Sequence, residues 1–176
     1  ALRDALIDYD TRHGYRGAEA HVEIPADAQP ADLIRLIDGY RSVNGLVPGV
    51  VSHVDAETAL VQMADGQSAA LDIKAVEWAR SYIDDSRRGG TPKQIGEVLK
   101  PGDIVRVLRD QEDAWKLGQI PAVQGALVGL DPDDGAIRSM IGGFNFSRSK
   151  YNRATQSSRS AGSSFKPFIY SAAFDH

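Results

Sequence analysis

The sequence predicts a mixed fold, an OB-like β-barrel together with an α/β portion, and three observations carry that expectation. Apolar residues recur at helical spacing up to residue 40, then switch to short strand-like runs from Leu46 onward. Those runs come as three strands, a helix and two more strands, the element order of an OB-type barrel. Beyond residue 121, two apolar runs flank Asp131-Pro-Asp-Asp-Gly135 and lead into a second helical pattern, the opening of a different layer.

Each element has its own signal. Leu2, Ala5, Leu6 and Tyr9 fall on one face of a helix that Gly14 ends. Residues 11–30 form a polar connector with one short strand over 21–24. A second helix covers 31–40, with Leu33, Ile34, Leu36 and Ile37 apolar, Asp32 near its positive end and Gly45 closing the segment. Strands follow over 49–54, 58–63 and 68–73, separated by Asp55-Ala-Glu and Asp65-Gly66 turn chemistry. A short helix over 74–82, an exposed loop over 84–92 and strands over 104–108 and 114–120 complete the barrel. The runs over 123–130 and 136–141 form a hairpin with Gly135 where positive φ is needed. Both runs are apolar at consecutive positions, which predicts a sheet covered on both faces. Residues 144–161 are polar and irregular, and 163–174 return to a helical apolar pattern.

Composition narrows the function. The chain has 176 residues, room for two units, with 42% hydrophobic and 25% charged residues, the profile of an ordinary globular protein. A formal charge of -4 works against nucleic-acid binding, which rests on Lys and Arg displacing counterions. Cysteine is absent, so disulfides and thiolate metal sites are excluded. His13, His21, His53 and His176 lack the paired spacing of a zinc site, and no cofactor is expected. Asp131-Pro-Asp-Asp lacks the further ligands of a calcium loop and reads as a turn. There is no apolar run of membrane-spanning length, no signal-peptide pattern and no initiator Met. The chain is expected to be a piece of a longer protein whose anchor lies outside it.

The chemistry-bearing segment is GSSFKPFIY, from Gly162 to Tyr170. Ser163 precedes Lys166 by three residues, a spacing that puts both side chains on one helical face and a nucleophile beside a base. Lys166 must be neutral to accept a proton. Moving its pKa from about 10.4 to near 7 costs about 4–5 kcal/mol, which demands a dry pocket; Phe165, Phe168 and Ile169 are the flanking apolar groups. A free N–H at the helix start offers an oxyanion donor. Pro167 should make the first turn irregular. The spacing alone is a weak motif, because Ser147 to Lys150 also fits it within a polar loop. Ser163 and Ser164 are equally good helix N-caps.

The stretch from Val123 to Ala173, with its strand pair ending in Gly142-Gly143, the Asn152-Arg-Ala-Thr155 run and GSSFKP, resembles the opening of the transpeptidase domain of class A penicillin-binding proteins, more narrowly of the 1A type. DYDTRHGYRG, ending at Gly17, is similar to the first piece of that domain, and residues 21–121 look like its inserted OB-like domain. The resemblance thus divides the chain into 1–20, 21–121 and 122–176. Ala161 departs from it, standing where the family often has Pro.

The resemblance implies a peptidoglycan D,D-transpeptidase, inhibited by β-lactam antibiotics, with Ser163 as nucleophile, Lys166 as general base and the Ser163 amide as an oxyanion donor. It implies stem peptides as substrates, an outer-membrane lipoprotein activator docking on the OB-like domain, and a parent on the periplasmic face of the inner membrane. The S-x-N and K-T/S-G elements that such enzymes also use are not found after Lys166, and Ser42 to Asn44 is a chance match, so the chain alone is expected to be inactive. The rival expectation is a non-catalytic OB module for a protein, an oligosaccharide or single-stranded nucleic acid. Trp78 and Trp115 are the only tryptophans available to such a module as stacking platforms.

Overall fold

The structure, a computed structural model, describes residues 1–175. It divides into two compact units, Ala1–Gly125 and a second beginning at Ala126.

The first unit is built on one sheet. Helix α1 (Leu2–Arg12) leads to the short strand β1 (Ala20–His21) and to helix α2 (Pro30–Leu36). Strands β2 (Val47–Val54), β3 (Thr58–Met63) and β4 (Ser68–Asp72) follow, then α3 (Ile73–Val76), a small hairpin of β5 (Tyr82–Asp84) and β6 (Arg87–Arg88), a 3-10 turn (Ile95–Glu97), β7 (Asp103–Arg109) and β8 (Trp115–Gly118). The order across the sheet is β1-β7-β2-β3-β4, all antiparallel, with β8 on the same edge of β7 as β1. Strand β2 pairs with β7 through Val47–Val50 and with β3 through Gly49–Val54, slipping register between Val51 and His53. That bulge lets one strand serve two neighbours as the sheet coils. Gly49 sits at the shared position, where an added Cβ would lie 2.4 Å from the Val61 methyl.

Successive side chains of β2 and β7 point to opposite faces, and both faces are covered. Val51 and Val105 enter the main core with Val61, Met63, Leu71, Val76, Ile95, Leu99 and Leu117. Val50 and Ile104 turn the other way, onto Leu33 and Ile37 of the α2 segment. Asp32 caps α2 as expected from its position, accepting from the Gln29 N–H at 3.0 Å.

The first unit departs from the predicted barrel in three places. The sheet is not a closed barrel: among the described residues no ladder joins β4 to β8. Strands β4 and β8 approach each other without pairing, helix α3 packs against both, and the Trp78 indole N–H donates to the Leu117 carbonyl of β8 at 2.9 Å. The helix expected over 74–82 stops at Val76, because Tyr15 draws the next segment into extended backbone: its N–H donates to the Arg80 carbonyl and its own carbonyl accepts from Tyr82. The loop expected over 84–92 contains the β5–β6 hairpin, turned about Asp84, whose carboxylate accepts from the Ser86 N–H and the Arg87 guanidinium.

The incoming and outgoing segments of this unit are fastened together. Asp10, 4% exposed on α1, accepts from both terminal nitrogens of Arg16, at 3.0 and 2.7 Å, and from the Ala122 N–H at 3.0 Å. Arg16 also donates to the Ile120 carbonyl, and the Gln119 amide bridges the Arg16 N–H and the Gly14 carbonyl.

The second unit holds β9 (Leu127–Leu130) paired antiparallel with β10 (Ile137–Ile141), a 3-10 turn (Gly162–Phe165) and α4 (Lys166–Phe174). The hairpin turn forms as expected, with Gly135 at φ 73° and Asp131 bound by Arg138 at 2.7 Å. The expected covering of both faces is absent among the described residues: Val128, Leu130, Ile137 and Ile141 are 45, 60, 58 and 44% exposed.

Removing the Asp10 carboxylate leaves the Ala122 N–H without its acceptor and the Arg16 guanidinium with the Ile120 carbonyl alone. Asp10→Ala should cost about 3 kcal/mol. Urea unfolding followed by the fluorescence of Trp78 and Trp115, both in the first unit, measures it.

Candidate functional site

The polar crossover between β10 and the last helix is held by its own side chains. Asn152 accepts from the Ala154 N–H at 2.9 Å, its carbonyl accepts from the Gln156 N–H, and the Gln156 side chain returns to the Asn152 N–H at 2.7 Å. The Arg153 N–H donates to the Gly142 carbonyl at the end of β10. The Asn152-to-Thr155 run is therefore a tight turn that anchors the crossover to the hairpin. Arg153 lies over the Tyr151 ring and donates to the Ser149 hydroxyl, so it is committed locally.

Beyond the crossover, Gly162 adopts φ 50°, a conformation that strains other residues, and turns the chain into the 3-10 segment. The first turn is irregular where Pro167 demands it: 3-10 geometry runs through Phe165, and α geometry begins at Lys166 with Pro167 in its first turn. Ser164 spends its N–H on the Ala161 carbonyl, and the Lys166 N–H goes to the Ser163 carbonyl. Neither the hydroxyl nor the amide N–H of Ser163 has a hydrogen-bond partner among the described residues. The N-cap of α4 is Phe165, not Ser163 or Ser164.

Ser163 and Lys166 thus lie on adjoining turns of one exposed segment, with no hydrogen bond between their side chains. Phe165 and Phe168 pair at 5.6 Å between ring centroids but are 54 and 67% exposed, and Ile169 is 55% exposed. The dry pocket that a neutral Lys166 requires is not formed by the described residues. What this segment supplies is a presented hydroxyl, an open N–H and an amine at short sequence range.

Neither tryptophan is a free stacking platform. Trp78 sits edge-on to Tyr15 at 5.8 Å and spends its N–H on β8, while Arg109 covers Trp115 at 4.1 Å. His21 bonds Asp103 at 2.9 Å and His13 bonds the Tyr9 carbonyl at 2.7 Å; His176 lies outside the described residues. Sequence reasoning missed Asp10, Arg16 and Gln119, because apolar periodicity does not mark polar residues that pack inward.

The penicillin-binding protein OB-like domain family matches residues 15–123. The chain is 46% identical over its whole length to penicillin-binding protein 1A of Pseudomonas aeruginosa and 40% identical over 99% of its length to that of Escherichia coli. It spans about a fifth of each, 21% of their length. The crystal structure of penicillin-binding protein 1A from Haemophilus influenzae superposes with a TM-score of 0.77 and 35% identity, covering 98% of this chain and 24% of that one.

With both indoles engaged and a net charge of -4, single-stranded DNA should not bind at micromolar concentration in moderate salt. Fluorescence anisotropy of a labelled oligonucleotide checks this, and saturation in the micromolar range would restore the nucleic-acid reading.

Proposed function

This chain belongs to the penicillin-binding proteins, of the 1A type, and we propose on that premise that it is part of a peptidoglycan D,D-transpeptidase, a serine acyl-transferase of cell-wall synthesis. Ser163 is its nucleophile and Lys166 its general base. The observation that carries the reading is the start of α4: after the Gly162 turn, Ser163 has both its hydroxyl and its N–H uncommitted, three residues before an amine.

The chemistry follows from those groups. A neutral Lys166 amine takes the Ser163 hydroxyl proton as Oγ attacks the carbonyl carbon of the penultimate D-Ala in a stem peptide. The tetrahedral oxyanion is met by the Ser163 N–H. Collapse breaks the C–N bond, the proton passes to the departing nitrogen, and the terminal D-Ala leaves as its free amine. The amine of a neighbouring stem then attacks the ester, gives up a proton and releases Ser163, leaving an amide crosslink. A β-lactam enters the same first step; its opened ring leaves the serine acylated.

The domain scheme goes with this reading. Residues 1–20 and 122–176 are pieces of the transpeptidase domain, and 21–121 are an OB-like insert. An insert must leave and rejoin its host at neighbouring points, and the Asp10–Arg16–Ala122 cluster supports that. The uncovered apolar faces of β9, β10 and α4 are the surfaces the rest of such a domain would bury, drying Lys166 as they did so. The parent acts on the periplasmic face of the inner membrane, and the insert receives an outer-membrane lipoprotein activator.

A longer form that carries the remaining transpeptidase segments should be labelled by a fluorescent penicillin. Ser163→Ala should abolish the label, and Lys166→Ala should slow acylation by at least about 100-fold. The 176-residue chain alone should remain unlabelled. Undiminished labelling of the Ser163→Ala variant would remove that residue from the mechanism.

A further inference from the structure

A cavity of about 370 Å³ opens between the C-terminal turn of α1 and the β5–β6 hairpin, within the range of small-ligand pockets. Its helix side is Tyr9, Arg12 and His13, and its hairpin side is residues 84–88. Neither the acyl-transfer chemistry nor the core uses it.

The charges in it are unequally committed. Asp84 and Arg87 form a closed pair, 2.6 Å apart, and Asp84 also accepts from the Ser86 N–H. Asp85 accepts the Tyr82 hydroxyl at 2.9 Å. Arg88 gives one terminal nitrogen to the Arg12 carbonyl at 2.6 Å, which consumes a carbonyl at the negative end of α1 and leaves its other donors open. The Arg12 guanidinium has no hydrogen-bond or ion-pair partner among the described residues and lies 5.9 Å from the centre of the Tyr9 ring. His13 is tied through Nδ1 to the Tyr9 carbonyl, so its Nε2 remains available. Two guanidinium groups with unused donors therefore line one cavity beside an exposed aromatic ring, in a chain whose net charge is -4.

We propose that this cavity is a binding site for the terminal carboxylate of a peptide, held by Arg12 and Arg88 with the adjoining residues of the peptide against Tyr9. A planar guanidinium meets a carboxylate with two parallel N–H donors, which an ammonium does not, and a guanidinium over a tyrosine ring keeps its edge donors free. Two carboxylates line the cavity: Asp84 is paired with Arg87, and Asp85 is turned to the Tyr82 hydroxyl. This site is independent of Ser163 and of the transpeptidase reading.

The test uses the whole chain and N-acetyl-Ala-Ala-Ala, as the free acid and as the C-terminal amide, followed by the backbone amide NMR signals of Arg12, His13, Arg87 and Arg88. The acid should shift these signals saturably, and the amide should bind at least about tenfold more weakly. Arg12→Gln, which removes no bond of the fold, should weaken the acid about tenfold while the other amide signals stay in place, and Arg12→Lys should restore only part. Equal shifts with acid and amide, shifts confined to other residues, or no shift at about 10 mM peptide would overturn the assignment.

Discussion

The first unit depends on one buried ion pair. Asp10 and Arg16 belong to the incoming segment, yet what they hold is the outgoing one, through the Ala122 N–H and the Ile120 carbonyl. A carboxylate with 5% of its surface exposed is expensive to bury, and it is tolerated here because three donors converge on it. Gln119 adds a neutral bridge to Gly14 and Arg16, so the crossing is fixed at several points.

That constraint explains how an open sheet behaves as a closed unit. Strand β7 carries β2 on one edge and both β1 and β8 on the other, which brings the beginning and end of the domain to the same strand. The clamp lies just outside this three-way junction in sequence. The chain therefore returns close to where it departed before it runs on to β9.

Much of this was legible in the sequence. Thr58–Met63 was predictable to the residue, and β2, β4 and β7 to within two residues, because short apolar runs bounded by turn residues mark strands that are buried on both faces, and β4 adds a clean alternation of buried and exposed positions. The irregular first turn of the last helix was legible from Pro167, whereas the roles of Ser163 and Lys166 were not legible from spacing alone, because Ser147 and Lys150 share that spacing in a polar loop. The clamp was not, since Asp10 and Gln119 resemble surface residues until a partner over a hundred positions away is known. The β5–β6 hairpin escaped for the same reason: Tyr15 sets the direction of 80–82 through backbone bonds that carry no side-chain signature. Closure of the barrel was overpredicted because element order does not specify whether the last two strands pair, and here β4 and β8 approach without a ladder while α3 packs against both.

A specific ion pair, Asp10 with Arg16, holds the two crossings together. A double-mutant cycle of Asp10→Ala and Arg16→Ala, read by denaturant unfolding of the first unit, measures that directly. The clamp predicts a coupling energy of about 1–3 kcal/mol, so that the double variant is much less unstable than the sum of the single ones. Additive losses would contradict it and would leave the pair as a bystander to the packing around it.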